Sequence, residues 1–212
     1  MFDGSSGTFA GKHQGESGSL FDFRVIVEAW AGKPFLRVDY QFINREAEES
    51  IDLSEIALKF TPNPSGDVRC ATAEGHYRTA VTQGPSEKLL NADAIIFQAV
   101  EHVLEVFYGD FWADWCDAEK GVCITPFQAH QNFPKGIKVH NGGIDLDIYP
   151  STEAPIKILQ GVAKTHRIQF YFHGPDLDLD DVVIQSLQFQ YPDVAILPES
   201  WYRASNVWEN LF

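Results

Sequence analysis

The stretch "FDFRVIVEAWAGKPFLRVDYQFIN", residues 21–44, decides the fold class. Apolar and polar side chains alternate along both of its halves, which is typical of β-strands with one buried and one wetter face. The short segment Ala31-Gly32-Lys33 separates the two halves and is predicted to form a turn. We therefore predict a long antiparallel hairpin.

Further strand-like segments follow this hairpin along most of the chain. They are predicted at 51–61, with a bend near Ser54, at 68–83 and 94–111, at 112–127, at 137–150 and at 161–174. The segment at 137–150 contains Asn141-Gly142, a strong hairpin signal. So many antiparallel strands predict an all-β fold, a large antiparallel β-sandwich of the supersandwich type, over residues 1–174.

The pattern changes after Gly174, where acidic residues precede apolar ones. Acidic side chains stabilise the first turn of a helix, and Pro192 is a typical residue beyond a helix end. We therefore predict one short C-terminal helix within residues 175–212.

Composition limits the partners of the chain. Its 212 residues include 16 Lys and Arg against 30 Asp and Glu, a formal net charge of −14. This charge argues against nucleic acid and anionic membrane surfaces as partners, and an acidic polymer would bind only at a locally basic cleft. No apolar run is long enough to span a bilayer, and the Gly/Ser-rich start does not read as a signal peptide. No sequence motif predicts a metal or a cofactor.

The three cysteines leave two alternatives open. Cys116 and Cys123 flank the predicted turn "DAEKG", so they could face each other across a hairpin and form a disulfide. The alternative is that they are ordinary buried thiols, because the geometry of a cross-strand disulfide is demanding.

Two polar groups are candidate functional residues. The first lies in the segment "HQNFPKG", which contains His130, Gln131, Asn132 and Lys135. The second is Lys164 with His166, which share a face of the strand at 161–174 with Ile168, Phe170 and Phe172. Two cations so close together lower each other's pKa, so that one could serve as a base near neutral pH. For the segment "HQNFPKG", the alternative is a purely structural corner in which Phe133 is buried. For Lys164, the alternative is a side chain whose stem packs on an aromatic ring.

The segments "NFPKGIKV", "IDLDIYP" and "GVAKTHRIQFYFHG" follow the first hairpin in order. In this order the chain resembles the central region of YetA-like, exo-rhamnogalacturonan lyase-like proteins, the relatives of polysaccharide lyase family 26. Members of that family have a central β-sandwich between an N-terminal β-rich domain and a C-terminal helical domain. The resemblance implies that residues 175–212 lead toward a missing helical domain, and that the parent protein is extracellular or periplasmic.

The resemblance also implies β-elimination of a rhamnogalacturonan-type acidic polysaccharide. This chemistry needs a cation beside the uronate carboxylate and a base for the adjacent proton. The candidate catalytic residues are Lys164, His166, Lys135 and His130, and the candidate substrate-binding residues are Gln131, Asn132, Tyr202 and Arg203. The expected partners are an acidic polysaccharide or oligosaccharide and the flanking domains of the parent chain, without which we expect little or no activity. The alternative function is a non-catalytic carbohydrate-binding or structural β-sandwich module.

Overall fold

A computed structural model describes residues 4–15, 18–74, 80–94, 110–190 and 197–205. The strands in these ranges are β1 (Gly4–Gly15), β2 (Gly18–Trp30), β3 (Phe35–Ile43), β4 (Ser50–Leu53), β5 (Ile56–Phe60), β6 (Arg69–Glu74), β7 (Ala80–Gln83), β8 (Ser86–Leu90), β9 (Ala113–Cys116), β10 (Gly121–Pro126), β11 (Lys135–His140), β12 (Gly143–Tyr149), β13 (Ile156–Leu159) and β14 (Ala163–His173). The helices that lie wholly within these ranges are α1 (Leu179–Gln190) and α2 (Glu199–Ser205).

These strands form three antiparallel sheets. The large sheet has the order β1-β2-β3-β14-β10-β9-β6-β7, the small sheet has the order β5-β12-β11-β8, and β13 pairs with β4 alone. The prediction of an all-β antiparallel sandwich is therefore confirmed. Within the described ranges, no helix is long and apolar enough to cross a membrane.

The hairpin at 21–44 is confirmed as the β2–β3 pair, with a register from Asp22↔Ile43 to Ala29↔Leu36. The turn closes through a hydrogen bond from Lys33 N to Trp30 O, and Gly32 has the left-handed backbone conformation that glycine adopts easily. The alternation that predicted the hairpin therefore aims one face of both strands inward.

The main core lies between the large and small sheets. Trp115, Ile124 and Ile168 come from the large sheet, Ile137 and Leu146 come from the small sheet, and all five are buried. Burying an aliphatic side chain of this kind contributes about 1.5–3 kcal/mol. This core fixes the distance between the two sheets, and thus the position of the strand ends around it.

Helix α1 covers the opposite, outer face of the large sheet and confirms the predicted C-terminal helix. Its first turn carries Asp180 and Asp181, as expected from the macrodipole. Val182 and Val183 pack in a second apolar cluster with Ala71 and Cys123 of the large sheet and with Trp112, which directly precedes β9. Helix α2 is a further short helix beyond it.

Several details differ from the sequence prediction. The bend near Ser54 is confirmed, because β4 and β5 flank it and belong to different sheets. Phe172 was expected on the apolar face but is 39% exposed, because its end of β14 is left uncovered. Strands β1, β8 and β13 were not predicted. The predicted strands at 94–111 fall mainly on residues 95–109, which lie outside the described residues.

The cysteine alternatives are resolved by the register of β9 and β10. Cys116 lies opposite Gly121, and Cys123 lies opposite Asp114, so the two thiols are diagonal rather than facing. Both are free and buried, as is Cys70. The disulfide alternative is therefore wrong, and burial raises the pKa of all three thiols.

Candidate functional site

The loop between β10 and β11, residues 127–134, leaves the large sheet beside β14. Phe127 N donates to Arg167 O at 2.8 Å, which places the start of the loop next to His166. The loop is closed by two hydrogen bonds from Asn132, whose backbone N and side-chain Nδ2 both donate to Gln128 O at 3.0 Å. It ends with a cis peptide bond between Phe133 and Pro134. The two sequence-predicted groups, on this loop and on β14, are thus neighbours.

Lys135 begins β11 and is buried beneath this loop. Its Nζ donates to Asn132 O at 2.5 Å, to Pro134 O at 3.0 Å and to Ile148 O at 2.9 Å. Burial and the charge of Lys164 lower the pKa of Lys135 to about 7. Three carbonyl acceptors, however, require three protons on the nitrogen, and only the ammonium carries three. We therefore assign Lys135 as a cation at neutral pH that joins the loop to the end of β12.

His166 lies on the inner face of β14, where it is 7% exposed. It stands opposite Tyr40 in the register and stacks on Phe42, with ring centroids 6.4 Å apart. Burial, together with the charges of Lys135 and Lys164, lowers the pKa of His166 to about 3. His166 is therefore a neutral imidazole at neutral pH.

Lys164 stands two residues earlier on the same face and is exposed at the start of β14. Partial burial lowers its pKa. In the described part of the chain, no carboxylate lies within salt-bridge distance of Nζ of Lys164 or Lys135. We call Lys135, Lys164 and His166, together with loop 127–134, the basic corner.

The other predicted loop residues divide into buried and exposed side chains. His130 is buried, and Asn132 uses its amide within the loop. Gln131 is exposed, and Phe133 is 43% exposed. The alternative that expected Phe133 to be buried is therefore wrong for this residue, and sequence reasoning did not identify it as a surface aromatic.

Tyr202 and Arg203 lie on α2, apart from the basic corner in the contacts that the structure describes. Arg203 Nε donates to Glu199 Oε1 at 2.7 Å, and Tyr202 Oη accepts from Leu197 N at 3.5 Å. Both interactions stay within residues 197–205. A substrate-binding role for these two residues stays a prediction, as do the predicted catalytic roles of Lys164, His166, Lys135 and His130.

A hydrogen-bonded histidine–tyrosine pair borders the basic corner and was not predicted. His13 Nδ1 donates to Phe21 O, because a carbonyl oxygen only accepts, and His13 Nε2 shares a hydrogen bond with Tyr40 Oη, both at 2.8 Å. Burial raises the pKa of Tyr40, which therefore stays protonated. No local sequence signal marks the pair, because its members lie on different strands.

A charged histidine lies on the other face of the large sheet, also without a sequence signal. His173 Nε2 donates to Asp114 Oδ1, and its Nδ1 donates to Gly174 O, both at 2.8 Å. Two acceptors require protons on both ring nitrogens, so His173 is an imidazolium. Burial alone would lower the pKa of His173, but the hydrogen bond and charge of Asp114 raise it overall. Arg69 is the second cation near Asp114, at 3.9 Å.

Comparison with known proteins supports the fold but not the family suggested by the sequence. No protein-family model matches the chain, and no curated protein matches it. A candidate aldose 1-epimerase from Klebsiella pneumoniae is similar in structure, with a TM-score of 0.51 and 11% identity over 90% of this chain. The GH36 α-galactosidase from Geobacillus stearothermophilus has a TM-score of 0.48 and 8% identity over 82% of this chain and 28% of its own. A galactose mutarotase-like protein from Lactobacillus casei has a TM-score of 0.41 and 10% identity over 81% of this chain and 73% of its own.

These similarities concern the fold alone, since the identities are so low. The chain spans 56% of the length of the Klebsiella protein. The structural neighbours are mainly aldose 1-epimerase and galactose mutarotase-like proteins, so the resemblance to YetA-like lyases is wrong. The lyase function that it implied is wrong with it, and neither rhamnogalacturonan nor secretion is supported. The segments that suggested the lyase family are strands and a connecting loop, whose alternating pattern recurs in many β-sandwiches.

Proposed function

We propose that this chain is a carbohydrate-binding β-sandwich module and that loop 127–134 is its sugar-contacting surface. The observation that carries the proposal is Phe133, an aromatic ring left 43% exposed on that loop. An aromatic face is a favourable partner for the apolar face of a sugar ring.

The loop that presents Phe133 is held by hydrogen bonds on both sides. Asn132 bonds back to Gln128 before it, and Lys135 bonds to the carbonyls of residues 132 and 134 around it. A loop held in this way loses little conformational entropy when a ligand binds. Loops on a rigid β-scaffold are also frequent places for binding residues.

The likeness in fold to the candidate aldose 1-epimerase from Klebsiella supports sugar as the ligand class. Fold alone does not determine function, so the proposal depends on the loop. Flanking domains, a division at residue 174 and an extracellular or periplasmic parent protein stay predictions.

Binding of the chain to a panel of neutral and acidic oligosaccharides tests the proposal. Phe133→Ala is expected to weaken binding about tenfold, because it removes the stacking surface. Phe172→Ala is the matched control, since Phe172 is a similarly exposed phenylalanine on β14 outside the loop, and we expect no change. If the unmodified chain binds no member of the panel, the proposal is wrong.

A further inference from the structure

We propose that the basic corner binds an anionic group of the saccharide, a carboxylate or a sulfate, and that Lys164 makes the contact. The proposal rests on the carbohydrate-binding function above and adds the class of sugar to it. It is carried by the juxtaposition of an exposed, unpaired lysine with a second, buried cation beside the loop that presents Phe133.

The pairing of the other basic side chains gives the first argument. In the described ranges, most arginines and several lysines have a carboxylate partner: Lys12 with Glu46, Arg37 with Glu28, Arg45 with Asp22, Arg69 with Asp114, Lys120 with Asp117, Lys138 with Glu87, Arg167 with Asp39 and Arg203 with Glu199. Lys135 and Lys164 have none, although acidic residues outnumber basic ones by 30 to 16. Arg24, Lys33, Lys59 and Lys157 also have none, but Lys135 and Lys164 differ from them in lying close enough together for the charge of Lys164 to act on Lys135. Two adjacent positive charges without a carboxylate partner favour an external anion.

The two lysines have different tasks in this arrangement. The three protons of the Lys135 ammonium are already donated to carbonyls, so Lys135 adds positive charge without a free donor. Lys164 is exposed, and the structure describes no hydrogen bond from its Nζ. Lys164 therefore makes the contact with the anion, and the positive charge of Lys135 strengthens that contact electrostatically without touching the anion.

The charge state of His166 is consistent with these separate roles of Lys135 and Lys164. It is buried and stacks on Phe42, and the charges of Lys135 and Lys164 help to keep it neutral. A neutral imidazole can donate one hydrogen bond and accept another, so it adds polarity to the corner without competing as a cation.

The net charge of the chain narrows the class of anion further. A nucleic acid carries about one charge per 1.7 Å of duplex, and the −14 charge of the chain would repel it along most of its contact length. An acidic oligosaccharide can be charged less densely, and the apolar face of its rings suits Phe133. A saccharide with a carboxylate or sulfate group therefore fits the corner better than a densely charged polymer.

The test compares matched acidic and neutral oligosaccharides on the full chain. The probes are oligogalacturonates and their methyl esters, and sulfated and desulfated chondroitin oligosaccharides whose uronates are methyl-esterified. We expect at least one acidic member to bind more tightly than its neutral counterpart, and the two series distinguish a carboxylate from a sulfate. Lys164→Gln is expected to weaken that binding about tenfold or more, because a charge-assisted hydrogen bond is lost.

Two further variants keep the test specific. Lys164→Arg is expected to retain most of the affinity, because the charge remains. Lys138→Gln, at an exposed lysine of β11 that already pairs with Glu87, is expected to change nothing. Added NaCl should weaken binding of the acidic probe to the unmodified chain more than to Lys164→Gln.

The contrary outcomes separate the two proposals. Equal binding of acidic and neutral probes, with Lys164→Gln unchanged, would overturn the anionic ligand and leave the carbohydrate-binding function intact. Loss of binding in Phe133→Ala but not in Lys164→Gln would do the same. Failure of every probe, acidic and neutral, would overturn both.

Discussion

His166 and His173 lie on the same strand, β14, yet they have opposite charge states. His166 faces the inner side of the large sheet and is neutral, whereas His173 faces the outer side and is an imidazolium. Both rings are largely buried, so burial does not separate them. The two charge states differ because the neighbouring charges differ: His166 has Lys135 and Lys164 nearby, whereas His173 has Asp114. The comparison shows that each face of the sheet has its own electrostatic environment.

The largest expected effect comes from removing the partner of His173. Asp114→Asn keeps the shape of the side chain but leaves the charges of His173 and Arg69 without a buried anion. Breaking a buried ion pair on one side typically costs about 3–5 kcal/mol, and we expect a loss of stability of that order in urea unfolding. Asp39→Asn is the matched control, because Asp39 pairs with Arg167 near the surface and such pairs contribute about 0–1 kcal/mol. Equal effects of the two substitutions would show that Asp114 is not a special partner.

The next effect concerns the pH dependence of the two histidines. An unfolded histidine has a pKa near 6.5, whereas that of His166 is lowered to about 3. The neutral His166 therefore contributes stability above pH 6.5 that is lost as the pH falls toward 3. Between pH 7 and pH 4.5 this amounts to about 2–3 kcal/mol. His173 acts in the opposite direction, because its pKa is raised: its contribution is complete below pH 6.5 and is lost as the pH rises through its folded pKa.

Urea unfolding at pH 7 and pH 4.5 measures this difference. His166→Phe is expected to remove most of the loss of stability on the acid side, because phenylalanine does not titrate and can still stack on Phe42. His140→Phe is the control, since His140 lies at an exposed turn end and bonds to Gly142 N. NMR titration of the ring protons provides a direct check, and an imidazolium signal for His166 at pH 6 would contradict the assignment.

How much of the fold was predictable from the sequence depends on whether the signal for each element is local. The β2–β3 and β11–β12 hairpins were predicted, because alternation and turn residues are local signals. Strand β1 was not, since it is rich in Gly and Ser and has little apolar alternation. It is a strand because β2 supplies a partner along its whole length.

The polar sites were likewise predictable only where their residues lie close together in the sequence. Lys164 and His166 were predicted as neighbours on one face because they belong to one strand. Asp114 and His173 were missed, because they are 59 residues apart and meet only when β9, β10 and β14 lie side by side. Gly121 is an indirect sign of the contact between Asp114 and His173. A Cβ at this position would lie 2.1 Å from Cε1 of His173, so the charged ring requires a glycine opposite it. The glycine was visible in the sequence, but the ring that requires it was not.

The smallest of these effects tests whether the basic corner depends on Lys135 for its shape. Lys135→Met keeps most of the apolar stem but removes the donor from three carbonyls, of residues 132, 134 and 148. Leaving buried acceptors unsatisfied costs about 1–3 kcal/mol, partly offset here because a buried charge is removed as well. We therefore expect a loss toward the lower end of that range in urea unfolding, with little change in Lys138→Met on the exposed side of the same strand. The pKa of His166 should rise in Lys135→Met, because one of the charges that lower it is gone. A stable variant in which the titration of His166 does not move would show that the charge of Lys135 does not help to keep this histidine neutral, and the contrast with His173 would then rest on burial, Lys164 and Asp114.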